Sequence, residues 1–141
     1  MTGARRKARI VALQVLYEVD TIRHDVAAVL ERGLEEAELL AENKAFVAGL
    51  VYGVIRNKAK IDRTIREFAP AWPLEQIALI DRNILRLAIF EILFDNGVSV
   101  KIAINEAVEL AKKFGSDNSP RFVNGVLGSV SALASSQKSI N

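Results

Sequence analysis

Apolar residues recur at three- and four-residue steps along nearly the whole chain, the spacing that places them on one helical face. Ile10, Leu13, Leu16 and Tyr17 predict a first helix over roughly 4–19, and Val26, Val29, Leu30 and Leu34 a second over about 25–38. Phe46, Leu50, Val51, Val54 and Ile55 mark a third, and Ile61, Ile65 and Phe68 a fourth. The stretch Ala69-Pro70-Ala71-Trp72-Pro73 breaks this pattern, because each proline disfavours helix in the residue before it. It divides the chain into an N-terminal half of about 1–69 and a C-terminal half of about 74–134.

From Ile77 to Phe94 the chain is apolar nearly all round, as expected of a central, buried helix. Asp95-Asn96-Gly97 closes it, with Gly97 as a left-handed cap. The next helix is expected over about 99–114, with Lys112 and Lys113 at its negative dipole end and Gly115 as its cap. Ser119 suits an N-cap and Pro120 a first helical position, opening a last helix over 120–134. Residues 135–141 read as a flexible tail. Gly125 and Gly128 each cost that helix about 1 kcal/mol relative to Ala. They point either to a close helix contact or to the close approach of a ligand backbone. No strand-like alternation or internal repeat interrupts the helices. The expected fold is all-α, a bundle of about seven helices in two small subdomains.

Composition narrows the chemistry. In 141 residues, half of them apolar, there is material for a core, yet there are no cysteines and only one histidine, His24. Disulfides, thiolate metal sites and His clusters are therefore excluded, and the expectation is no metal and no cofactor. No apolar run reaches the roughly 20 residues that span a bilayer. Gln14, Glu18 and Asp20 interrupt the stretch after the basic N-terminus, so no secretory signal is expected and a cytoplasmic location is. Carboxylate pairs at helical spacing, Glu106 with Glu109 and Glu31 with Glu35, carry no flanking feature that would split their pKa values. With no phosphate loop or nucleophile elbow either, no enzyme is expected.

Charge is distributed unevenly. Residues 1–17 hold Arg5, Arg6, Lys7 and Arg9 and no acid, whereas residues 18–42 hold eight acids against Arg23 and Arg32. Cations at a helix start oppose its dipole, and Arg5 and Arg9 repel at i,i+4, so local helix stability does not account for them. A polyanion would compensate both costs. Tyr17, Phe68, Phe114 and Phe122 lie near helix ends, where rings can stack single-stranded RNA bases; Phe46, Phe90 and Phe94 are assigned to the core. Arg82 and Arg86 sit in the apolar central helix, and either an ion pair, with Glu91 or Asp81, or an RNA contact would explain them.

Four ordered blocks then carry a resemblance. They are Arg5-Arg6-Lys7-Ala8-Arg9 with Leu13-Gln14-Val15-Leu16-Tyr17, Asp81-Arg82-Asn83-Ile84-Leu85-Arg86-Leu87-Ala88 with Glu91-Ile92-Leu93, the stretch from Ala103 to Lys112, and Phe122-Val123-Asn124-Gly125-Val126-Leu127. Together they resemble the NusB transcription antitermination family over essentially the whole length. The resemblance implies a helical fold of two subdomains and binding to the single-stranded boxA element of ribosomal RNA transcripts. It implies a heterodimer with the ribosomal protein NusE, joining other antitermination factors on RNA polymerase, with a homodimer left open. Carried over by position, the RNA contacts are Arg5, Arg6, Arg9, Gln14, Tyr17, Phe68, Arg86, Phe114, Asn118 and Phe122. The protein-partner contacts are Glu75, Asp81, Arg82 and Asn83. Phe68 stands where relatives can carry tyrosine, and neutral Asn118 where they can carry aspartate. A similar domain occurs fused to RNA cytosine methyltransferases; a chain ending at residue 141 implies the unfused form. The alternative is a protein-interaction module of the transcription complex whose RNA affinity is incidental.

Overall fold

The computed structural model describes residues 3–22, 24–95 and 97–140, with side chains through Ala134. Arg23 and Asn96, used above in the charge and turn readings, and Asn141 of the expected tail lie outside the described residues. Among the described residues there are seven α-helices, one 3-10 turn and no strand, as the periodicity predicts. None of these helices is long and apolar enough to cross a membrane.

Helices α1 (Gly3–Ile22), α2 (Val26–Glu36) and α3 (Ala41–Arg56) form a first compact unit that ends at Arg56. Helix α1 packs against both α2 and α3. Its buried residues Ala8, Val11, Ala12, Val15 and Leu16 recur at helical spacing. Asp25 caps α2 by accepting from the Ala28 N–H at 3.2 Å, which is why the helix starts one residue later than the apolar pattern alone suggests. Gly33 lets α2 sit close on α1: a Cβ there would lie 3.1 Å from Val15 Cγ2.

The second unit begins at Asn57. It holds α4 (Lys58–Phe68), a 3-10 turn (Leu74–Gln76), α5 (Leu79–Leu93), α6 (Val100–Phe114) and α7 (Ser119–Ile140). The boundary thus falls between α3 and α4 rather than at the proline-rich 69–73 stretch. The reason is packing: Ile61 and Ile65 give α4 an apolar face, and α4 lies against α5 and α7. Prolines end a helix, but burial decides which unit keeps it. Helix α5 is central as expected, packing on α4, α6 and α7 with ten of its fifteen residues buried.

Two helix ends depart from the expected glycine caps. No described glycine has a positive φ, and after α5 the Asp95 carboxylate accepts from the Gly97 N–H at 2.9 Å to make the turn. Gly115 does cap α6, but in an extended conformation. Its missing side chain serves close approach, since a Cβ would fall 2.4 Å from Ser119 Oγ and 2.8 Å from the Ala111 carbonyl. Ser119 is itself the first residue of α7, and its hydroxyl accepts from the Ser116 N–H at 2.9 Å. The α7 backbone stays helical to Ile140, six residues past the expected end.

Gly125 and Gly128 make no close helix contact in this chain: a Cβ on either would meet nothing within 4 Å. Both lie exposed inside α7. Gly125→Ala and Gly128→Ala are each expected to stabilise the protein by about 0.5–1 kcal/mol through helix propensity and a less flexible unfolded chain. Together they should raise the thermal midpoint by roughly 2–8 °C, readable by circular dichroism melting. A drop in the midpoint would show that α7 needs those glycines after all.

Candidate nucleic-acid interface

Helix α1 sorts the basic cluster into two faces. Arg6, Gln14 and Tyr17 follow at four- and three-residue steps through Ile10 on one outward stripe, with exposed Lys7 beside them. Tyr17 is 39% exposed, so its ring is presented with its hydroxyl. Arg5 and Arg9 turn the other way, toward α3. Their guanidinium carbons lie 4.0 and 5.2 Å from the centroid of the Phe46 ring. Phe46 is half-buried rather than core, and acts as a platform for both cations. Arg9 is only 1% exposed. Its side chain is a strut of the first unit, held over the Phe46 ring.

Beside Gln14, a cleft of about 300 Å³ runs between α1 and α2, floored by Val11, Val15 and Val29. Glu18 accepts from Arg32 at its rim, and His24 lies 3.5 Å away. The Arg32 hydrogen bond is the largest influence holding the Glu18 carboxyl below its ordinary range, against desolvation and with help from His24. A depressed carboxyl favours the folded state above its unfolded pKa and loses that contribution as pH falls through the lowered value. Both side chains are too exposed for this to matter much.

In the second unit, the sequence-assigned residues divide by burial. Phe68 ends α4 and Phe114 ends α6; both are half-buried, and Lys113 Nζ sits 5.6 Å from the Phe114 ring centroid. Asn118 is exposed just before α7 and Phe122 is half-buried in its first turn. Arg86 is different. It is 4% exposed, and its Nε and Nη2 reach the two carboxylate oxygens of Asp62 at 2.8 and 3.1 Å. That fork-to-fork geometry sets Arg86 in a buried ion pair, with a partner on α4 that sequence spacing did not suggest.

The partner set divides likewise. Glu75 is exposed, with Arg66 3.9 Å from its carboxylate. Asn83 is 1% exposed, donates to the Leu79 carbonyl at 2.8 Å and accepts from Arg86 at 3.4 Å, so its side chain is internal. Arg82 is half-buried and donates to the carbonyls of Glu75 and Ile77 at 3.3 and 3.2 Å, fastening the 3-10 turn to α5. Asp81 lines a cleft of about 250 Å³ with Trp72, Gln76, Ser116, Asn118 and Phe122. The structure thus joins one residue assigned to protein and two assigned to RNA in one place. Trp72, 53% exposed, is the wall that sequence reading missed. A large aromatic in a proline-flanked turn was the signal available.

The NusB family pattern matches residues 6–132. Over 139 residues the chain is 54% identical to the transcription antitermination protein NusB of Dehalococcoides mccartyi, covering 98% of this chain and 97% of that one. It is 48% identical over 132 residues to the NusB of Chloroflexus aggregans, covering 92% and 88% of the two chains. Among solved structures, T. maritima NusB superposes with a TM-score of 0.87 at 32% identity, over 94% of this chain and 93% of that one. A structure of the antitermination factors NusB and NusE in complex with dsRNA gives 0.86 at 25% identity, over 94% and 99%.

Proposed function

Because the chain belongs to the NusB family, we propose that it is an RNA-binding transcription antitermination factor of the cytoplasm. In this reading it binds the boxA element of ribosomal RNA transcripts as a heterodimer with NusE. The heterodimer then joins other antitermination factors on RNA polymerase and helps it read through terminators. The observation that carries the reading is the near-full-length match to relatives named for antitermination. The outward Arg6–Gln14–Tyr17 stripe supports it physically, since it combines a cation for phosphate, an amide for base edges and a ring for stacking.

The RNA contacts we assign are Arg6, Gln14 and Tyr17 on the first unit and Phe68, Phe114, Asn118 and Phe122 on the second. Arg5 and Arg9 organise α1 against Phe46. The function is recognition and carries no catalytic step of its own.

The test is a titration of the protein against a labelled boxA RNA and a scrambled control over a salt series, with and without NusE. A sequence-selective complex, strengthened by NusE, is expected, with log affinity falling against log salt by about 0.7 per phosphate contacted. Equal affinity for the two RNAs with NusE present would favour a protein-interaction module with incidental RNA affinity.

A further inference from the structure

We propose that the groove between α1 and α2 docks a basic segment of a protein partner, one of whose arginines enters between Glu18 and Glu36. This surface lies wholly in the first unit. The partner contacts assigned from the resemblance, Glu75, Asp81, Arg82 and Asn83, all lie in the second. The groove is therefore a further protein interface, and it gives the acidic 18–42 stretch a role that RNA recognition leaves unused.

The shape admits a side chain or two and little more. Val11, Val15 and Val29 form the floor, and Gly33 keeps the α2 wall low: a Cβ there would crowd Val15 Cγ2 at 3.1 Å. The volume of about 300 Å³ stands at the low end of the roughly 300–1,000 Å³ of ligand sites. An arginine brings an aliphatic stem for the apolar floor and a planar, multiply donating head for the rim. That rim is open to solvent. The Glu18 and Arg32 side chains are 25% and 50% exposed, and Glu36 is exposed.

Charge selects the occupant. Arg32 gives its hydrogen bond to Glu18 and acts on Glu36 through space, so two carboxylates share one guanidinium. Glu35 and Glu36 also stand in the last turn of α2, which holds no basic residue, and there they oppose the negative end of the helix dipole. Glu31 and Glu35 repel each other at i,i+4. Helix stability therefore does not account for these acids, and an incoming cation would offset both costs. A polyanion is disfavoured on the same ground, since residues 18–42 hold eight acids against Arg23 and Arg32. A metal ion fits less well than a guanidinium, because no group of three or more potential ligands occurs among the described residues.

The test titrates the full, isotope-labelled chain with a capped peptide of alternating arginine and valine, and with its glutamate-for-arginine counterpart, following backbone amide NMR shifts. Shifts centred on Val15, Glu18, Val29, Gly33 and Glu36 are expected from the arginine peptide alone. Glu36→Lys should lower affinity for that peptide about tenfold and Glu36→Gln about threefold. Neither should reduce affinity for boxA RNA, and melting curves check that both variants fold. Glu42→Lys makes the same charge change outside the groove and should cost about twofold or less. Equal losses for Glu36→Lys and Glu42→Lys would show a diffuse acidic surface and overturn the groove as a site. So would an arginine peptide that leaves the groove amides unmoved. If boxA RNA moves those amides and displaces the peptide, the groove belongs to RNA; if raising the protein concentration alone moves them, a second copy covers it. Either result overturns the proposal.

Discussion

Arg86→Ala should lower the stability of the protein by about 3–5 kcal/mol, among the largest effects of any single substitution in the chain. The guanidinium reaches both carboxylate oxygens of Asp62, and the two side chains are 4% and 12% exposed. Removing the cation leaves a carboxylate in a buried site shaped for its partner. The expected drop in thermal midpoint is on the order of 10 °C or more. Arg86→Lys should recover only part of this, because an ammonium cannot reproduce the planar fork. The double change Asp62→Asn with Arg86→Met should sit closer to wild type than Arg86→Ala does, since it leaves no unpaired charge behind. Urea unfolding of these variants measures the effect directly. Stability within 1 kcal/mol of wild type for Arg86→Ala, together with lost RNA affinity, would return Arg86 to the RNA surface.

That pair also shows where sequence reading stops. Helical periodicity located every α-helix, because a 3.6-residue repeat of apolar positions leaves the same signal whatever the helix later packs against. The central place of α5 was readable for the same reason: it is apolar on three sides and ends up enclosed by α4, α6 and α7. Which acid meets Arg86 was not readable. Asp62 lies 24 positions away on another helix, and Glu91 and Asp81 were favoured only because they are near in sequence. Prolines mark where backbone hydrogen bonding stops, whereas the affiliation of α4 depends on the faces it buries.

The candidate interface was half readable. Residue type and proximity to helix ends gave Arg6, Tyr17 and Phe122, and the family resemblance added Gln14 and Asn118; all five have surface to present. Burial could not be read from type. Arg9 and Arg6 are three positions apart in one basic cluster, yet one is enclosed and the other exposed, because α3 sets Phe46 beside the inward side of α1. Trp72 and Asp81 were separated in sequence by a helix start, and only the fold brings them to one cleft.

Arg6→Glu combined with Tyr17→Ala should weaken boxA RNA binding by about 100-fold, with a thermal midpoint close to that of wild type. Loss of one stacked base is worth about 1–3 kcal/mol, which alone is a factor of roughly 5–150. Charge reversal at Arg6 should remove a phosphate contact and reduce the salt slope by about 0.7. The two positions lie eleven residues apart on one helix, roughly 16 Å along its axis, far enough for their effects to add. Stability should barely move, since both side chains are exposed and a carboxylate in the first turn of α1 favours the helix dipole. Arg9→Glu is the contrasting control. It places a carboxylate in a site that is 1% exposed beside the Phe46 ring, so its RNA defect should come with a lowered midpoint. Binding curves and melting curves on the same preparations separate the cases: a stable Arg6→Glu, Tyr17→Ala protein that binds as wild type does would remove the outward face of α1 from the interface.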